Sequence, residues 1–199
     1  QVFLSSTRVR EDPPMTQLIV PLPIKTTKKL ELERGLVRLL DDRCRGGGGA
    51  IGAEARAAAQ VLQATHDKLT NDVLKEITPL NCTDLVDTCI QYEAELCRLE
   101  RRLDQFGAEC GLIFKWRDAF KPKNSCGQKD LQWERVGALF NAAAANAFSG
   151  SERQRLGGPD LKEACKQACR HYQSAAGCLD AAHDLVKGAA RGLAPRWDP

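Results

Sequence analysis

No window of the 199-residue chain is both apolar enough and long enough to serve as a signal peptide or a membrane span. That absence favours a reducing cytosol, and it leaves the sequon at Asn81, Cys82 and Thr83 without a route to glycosylation. The nine cysteines are an odd number and contain no CxxC pair. Cys82, Cys89, Cys97, Cys165, Cys169 and Cys178 instead fall on or beside apolar helical stripes, where free cysteine acts as a small hydrophobe. No metal site or cofactor is expected from them. The glycine run Gly46 to Gly49 lacks the GxxxxGK[ST] spacing of a phosphate loop and reads as a variable connection. His66, His171 and His183 have no neighbouring pattern that marks a catalytic base. Neither enzyme activity nor a small-molecule substrate is therefore expected. A net charge of +3 is no concentrated basic face, so nucleic acid is not expected as a partner either.

What is present is a composition of 43% hydrophobic and 28% charged residues, enough for a packed core. The densest aromatic stretch runs from Phe114 to Phe148: FKWRDAF, a short polar loop, and DLQWERVGALFNAAAANAF. Leu112, Phe114, Trp116 and Asp118 share one face if extended, giving a short strand into a turn. Lys115, Arg117, Lys121, Lys123 and Lys129 form the densest basic cluster, suited to acidic lipid or an acidic partner.

The rest of the pattern is mainly α. Gln1 to Pro14 reads as a leader or non-native extension, and MTQLIVPLPIK from Met15 as a short edge strand ended by Pro21 and Pro23. A first helix is expected from Thr27 or Lys28, with Leu32, Leu36, Leu39 and Leu40 on one face. A second should span Ala53 to Ile77 on Ala55, Ala58, Leu62, Leu69, Val73 and Ile77, with His66 packed on that stripe. A third, Thr83 to Gln105, carries the seam Leu85, Cys89, Tyr92, Leu96, Leu99 and Leu103, and is expected to form an antiparallel hairpin with the second. A fourth runs from Asp130 to Phe148. A fifth runs from Pro159, placed as its first residue, to Ala190, with Leu161, Cys165, Ala168, Cys169, Tyr172, Ala176, Leu179, His183 and Val186 facing the core. The ending GLAPRWDP is rich in breakers, and Trp197 has nothing after it to pack on.

Three blocks in order resemble the BRO1 domain of the Alix/Bro1 family of endosomal sorting adaptors. They are a W-x-D-x-F block (Trp116, Asp118, Phe120), an aromatic-Glu step into a helix ending LFN (Trp133, Glu134, Leu139, Phe140, Asn141), and a helix reading HYQSAAG (His171, Tyr172, Gln173, Ala175, Ala176, Gly177). The start MTQLIVPLPIKTTKKLELERGL is also similar to an Alix-type opening. The resemblance implies a mainly α fold, with long antiparallel helices leading into a tetratricopeptide-like solenoid and a small β-sheet near the N-terminus and Phe114 to Phe120. It makes residues 15–199 the N-terminal half of such a domain. It further implies a non-enzymatic ESCRT-associated adaptor, cytoplasmic and recruited to endosomal membranes in the multivesicular body pathway. That adaptor would bind the C-terminal amphipathic helix of an ESCRT-III subunit in a hydrophobic groove.

One rim of that groove falls on Lys162, Cys165 and Lys166. A family Lys matches Lys166, whereas the acidic position one turn earlier is Lys162 here. The loop from Lys121 to Gln128 is shorter than the aromatic-tipped loop of Alix-type members. A phosphatase-like relative or a Rho-binding scaffold of the rhophilin kind is the alternative.

Overall fold

A computed structural model describes residues 22–46, 52–70, 74–103, 105–156 and 160–190. The leader, the apolar run Leu18 to Val20, most of the glycine run, Val73, the Gly157 to Pro159 breaker and the GLAPRWDP ending lie outside the described residues. Among the described residues the chain is mainly helical with one small sheet. Its elements are α1 (Leu32–Gly46), α2 (Ala53–Lys68), α3 (Cys82–Glu100), the single turn α4 (Phe106–Glu109), β1 (Phe114–Arg117), β2 (Ser125–Gln128), α5 (Leu131–Leu156) and α6 (Leu161–Ala190).

β1 and β2 are antiparallel, with Phe114 opposite Gln128 and Arg117 opposite Ser125. The polar loop expected here is thus half strand. Alternation along β1 buries Phe114 and Trp116 and exposes Lys115 and Arg117. Asp118 closes the connection, its Oδ1 accepting the backbone N–H groups of Phe120 and Lys121 at 2.7 and 2.9 Å.

Long-range bonds reset two helix boundaries. α1 starts at Leu32, not Thr27, because Thr27 is committed elsewhere: it bridges both Thr70 and Trp116, and its hydroxyl donates to the Lys115 carbonyl. The first turn of α1 is served from α2, where Gln63 Oε1 accepts the Glu33 N–H and Gln63 Nε2 donates to the Leu30 carbonyl. α2 stops at Lys68 because Thr70 returns its hydroxyl to the Asp67 carbonyl while its backbone bridges Thr27. Leu22 to Lys25, at and after the prolines expected to end the edge strand, belongs to no strand. It is held by Asn141, whose side chain accepts the Lys25 N–H at 2.7 Å and donates to the Lys25 carbonyl at 2.9 Å.

The expected hairpin of the second and third helices is corrected. The connection from Leu69 to Asn81 is long, α2 packs mainly on α1, and α3 packs mainly on α5. Arg135 fastens the latter contact by bonding Glu93 and Glu100 of α3.

α5 is the axis of the molecule. Ala138, Asn141, Ala142, Ala143, Ala144 and Ala145 are fully buried, so this helix is enclosed on nearly all sides over its middle turns. It runs two turns past Phe148, with Ser149 and Ser151 bonding back to carbonyls of their own helix. Small residues set how closely its neighbours approach. A Cβ on Gly137 would lie 2.3 Å from the Trp116 indole, and one on Gly107 would lie 2.1 Å from the Lys129 carbonyl oxygen.

α6 lies along α5 and begins at Leu161, where Asp160 Oδ1 caps the Glu163 N–H. Its core face is not the expected one. Ala168, Ala175 and Ala182 are buried, with Ala164, His171, Cys178 and Leu185 partly so. Leu161, Cys165, Cys169, Ala176, Leu179, His183 and Val186 are exposed, leaving Ala168 and the partly buried Tyr172 of the expected set against the protein. The reason is geometric: an alanine-lined α5 admits a small-residue stripe at close range, and that turns the bulkier stripe outward.

Candidate partner-binding face

Two features involve the motif residues, a buried joint and the outward face of α6. The joint centres on Glu134, which is fully buried in the first turn of α5. Trp116 Nε1 donates to its Oε2 at 2.6 Å, and Tyr92 OH donates to its Oε1 at 2.9 Å. His66 Nδ1 lies 3.0 Å from Tyr92 OH and 3.4 Å from Glu134 Oε1. The Leu30 N–H points at His66 Nε2 at 3.2 Å. That nitrogen must accept, so the ring proton sits on Nδ1 and the imidazole is neutral.

Every heteroatom of the quartet is thereby paired, and a buried carboxylate is tolerable only on that condition. Burial, and then the adjacent Glu134 carboxylate, push the Tyr92 hydroxyl well above its ordinary pKa. A phenol so held donates a hydrogen bond and does not ionise. The arrangement ties β1, α2, α3 and α5 together and offers no opening to a substrate. His66 is fully buried within it. Among the described residues, no group of three or more His, Cys, Asp or Glu is placed to hold a metal ion.

The remaining motif residues divide by location. Trp133 packs against the main core. Phe140 is partly exposed, with Lys25 Nζ 5.1 Å above its ring. Asn141 carries the grip on Lys25, and Phe120 is 67% exposed at the hairpin turn. His171 and Tyr172 attach α6 to α5. His171 Nδ1 lies 3.3 Å from Asn146 Oδ1, and the Tyr172 ring fills the space beside Gly150. Gln173 and Gly177 are exposed on the opposite side, and a Cβ on Gly177 would meet nothing.

Lys162, Cys165 and Lys166 stand exposed on the first turns of α6, with Lys166 Nζ 3.6 Å from Glu163 Oε2. They border the outward stripe of Leu161, Cys165, Cys169, Ala176, Leu179, His183 and Val186, whose three- and four-residue steps, with one of seven past the inward-turned Tyr172, keep to one side of the helix. Leu161 is 59% exposed and Leu179 and Val186 37% each. Among the described residues no element covers this stripe. Its chemistry is apolar with cations at one end, which suits an amphipathic helix laid alongside.

Sequence reasoning missed the quartet, the Asn141 grip and the role of Gly137. A signal was present for the first. Glu134 interrupts the apolar face between Leu131 and Ala138, and His66 and Tyr92 each sit on a core stripe. Three polar groups on core positions of three helices imply one another as partners.

A family model described as BRO1-like domain matches residues 19–191. Rhophilin-1 of Homo sapiens is 26% identical over 165 residues, covering 83% of this chain and 22% of its own length. Programmed cell death 6-interacting protein of Xenopus laevis is 25% identical over 173 residues, covering 84% of this chain and 19% of its own. Among solved structures, the chain is similar to ALIX in complex with the SIVmac239 PYKEVTEDL late domain, with a TM-score of 0.66 and 23% identity over 90% of this chain and 24% of that one. It is also similar to a structure described as the basis for endosomal targeting by the Bro1 domain, with a TM-score of 0.52 and 19% identity over 87% of this chain and 42% of that one. The chain thus spans about a fifth of the length of the curated relatives it matches.

Proposed function

Because the chain belongs to the family of BRO1-like domains, we propose that it works as a protein-binding adaptor without catalytic activity, its partner the C-terminal amphipathic helix of an ESCRT-III subunit. The observation that carries this reading is the outward stripe of α6. It is an apolar helical face uncovered among the described residues, with Lys162 and Lys166 at the end where an acidic flank of the partner would lie. Residues 15–199 are, in this proposal, the N-terminal portion of the binding domain. The small share of each relative's length that the chain spans supports this. Cytoplasmic residence, recruitment to endosomes and contact with an acidic membrane surface through the hairpin belong to the same proposal. The similarity to a structure described by endosomal targeting supports it. Among the described residues no helix is long and apolar enough to cross a membrane.

The test is a titration of the complete gene product with a fluorescent ESCRT-III C-terminal helix peptide. Binding in the micromolar range or tighter is expected, weakened about tenfold or more by Leu161→Asp with Lys166→Glu. No binding by the complete protein would end the reading. The similarity to Rhophilin-1 favours a second reading, a Rho-binding scaffold. In that case a GTP-loaded Rho protein, and not the helix peptide, is retained in the same assay.

A further inference from the structure

The outer face of the hairpin gathers cations from three separate segments into one cleft. Thr27 pairs antiparallel with Trp116, and the Arg117 N–H donates to the Thr26 carbonyl, so Thr26 lies beside Arg117 and Lys28 beside Lys115. On the other flank Ser125 lies opposite Arg117 and Gly127 opposite Lys115. Thr27 and Trp116 point inward, which leaves Thr26, Lys28, Lys115 and Arg117 facing out. These residues, with Pro122, Lys123 and Ser125, line a cleft of about 470 Å³, within the size range of small-molecule sites. Of the basic cluster visible in the sequence, Lys115, Arg117 and Lys123 line the cleft, Lys121 and Lys129 do not, and Lys28 joins from a distant segment.

No carboxylate lines this cleft. Among the described residues none of its four cations takes part in an ion pair. The neighbouring acid, Asp118, has its Oδ1 engaged by the backbone N–H groups of Phe120 and Lys121. Like charges side by side across a strand pair destabilise it. Lys28 beside Lys115, next to Arg117, is therefore an arrangement that folding alone does not favour. A multiply charged anion in the cleft would convert that repulsion into attraction. Arg117 can grip two oxygens of one phosphate, and the three lysines can reach others as point charges. The hydroxyls of Thr26 and Ser125 stand on either side of Arg117 as further donors.

We infer that the cleft lined by Lys28, Lys115, Arg117 and Lys123 binds a polyphosphorylated small group of the inositol phosphate class, as a lipid headgroup or as a free solute. This deepens the membrane contact proposed above and rests on that reading only for the lipid source.

The full chain is titrated calorimetrically with inositol hexakisphosphate. In parallel it is sedimented with phosphatidylcholine vesicles carrying either phosphatidylinositol 4,5-bisphosphate or phosphatidylserine at matched surface charge. Salt-sensitive binding of inositol hexakisphosphate is expected, weakened about tenfold or more in Lys115→Gln/Arg117→Gln, since each such charge-assisted contact carries an appreciable share of affinity. Arg155→Gln on α5 should leave it unchanged. Should the strand variant fail to fold, Lys28→Gln/Lys123→Gln, outside the strands, makes the same test. Preferential sedimentation with the bisphosphate vesicles assigns the ligand to a lipid headgroup, and binding of the soluble ligand alone assigns it to a free solute. Either supports the site. Sedimentation with phosphatidylserine vesicles without binding of inositol hexakisphosphate overturns the inference but leaves the membrane reading intact. No binding in any arm, or less than a twofold effect of both double variants, overturns it as well.

Discussion

Glycine marks two opposite situations in the helices of this protein, and a single substitution separates them. Gly137 faces the Trp116 indole so closely that an added methyl would overlap it, whereas Gly177 faces open space. Alanine at either position removes the conformational freedom that makes glycine poor in helices, a gain of up to about 1 kcal/mol. At Gly137 overpacking outweighs that gain, because Trp116 is itself held by Glu134 and cannot retreat. Gly137→Ala should therefore lower the thermal midpoint by several degrees and Gly177→Ala should raise it by about 2 °C, both read by circular dichroism. A midpoint unchanged or raised in Gly137→Ala would contradict the close contact. In the sequence both glycines look alike, since each breaks a helical pattern and nothing local says what lies opposite.

Between elements, the contact of α5 with α6 includes a histidine that prefers to stay neutral. Burial against α5, reinforced by nearby Arg153, lowers the His171 pKa below the ordinary 6.5. In the unfolded chain His171 therefore takes up its proton at a higher pH than in the folded one, so stability declines as pH falls through 6.5 toward the lowered folded value. Thermal midpoints measured from about pH 8 to about pH 5.5 should fall across that window, and His171→Gln should flatten this part of the profile. An identical slope in the variant would rule His171 out as its origin. The helices themselves were legible because their apolar period is long and regular, as were the seam of α3 and the small sheet's first strand. What periodicity could not settle was which of two parallel stripes on α6 faces inward. Leu161, Leu179 and Val186 have more apolar surface than Ala168, Ala175 and Ala182, but the alanine-lined partner selects for closeness rather than size. The start of α1 was misplaced for a related reason, since Gln63 of α2 supplies the bond that a Thr27 cap would have made.

At the scale of the molecule, the motif blocks that carried the family resemblance are mostly architectural. Trp116 and Glu134 share the buried quartet, Asn141 holds the Lys25 backbone, and His171 docks α6. The outward stripe was legible as a pattern but not as a surface. The quartet also has a consequence in time. Its four members, His66, Tyr92, Trp116 and Glu134, together with the Leu30 N–H that completes it, are drawn from positions spread over more than half the chain, whereas α5 and α6 are joined by a short connection. Local helix pairs close at small entropic cost and distant ones at larger cost, so α5 and α6 should associate early and the quartet should close near the end of folding. Tyr92→Phe, which deletes one donor to Glu134 at a cost of about 1 to 2 kcal/mol, is then expected to leave the refolding rate nearly unchanged and to speed unfolding roughly tenfold. Stopped-flow measurements in denaturant would read both limbs, and a slowed refolding limb would place the quartet early instead. On this view the buried carboxylate acts as a late latch: it does not guide the chain to its fold, but sets how long the fold lasts once reached.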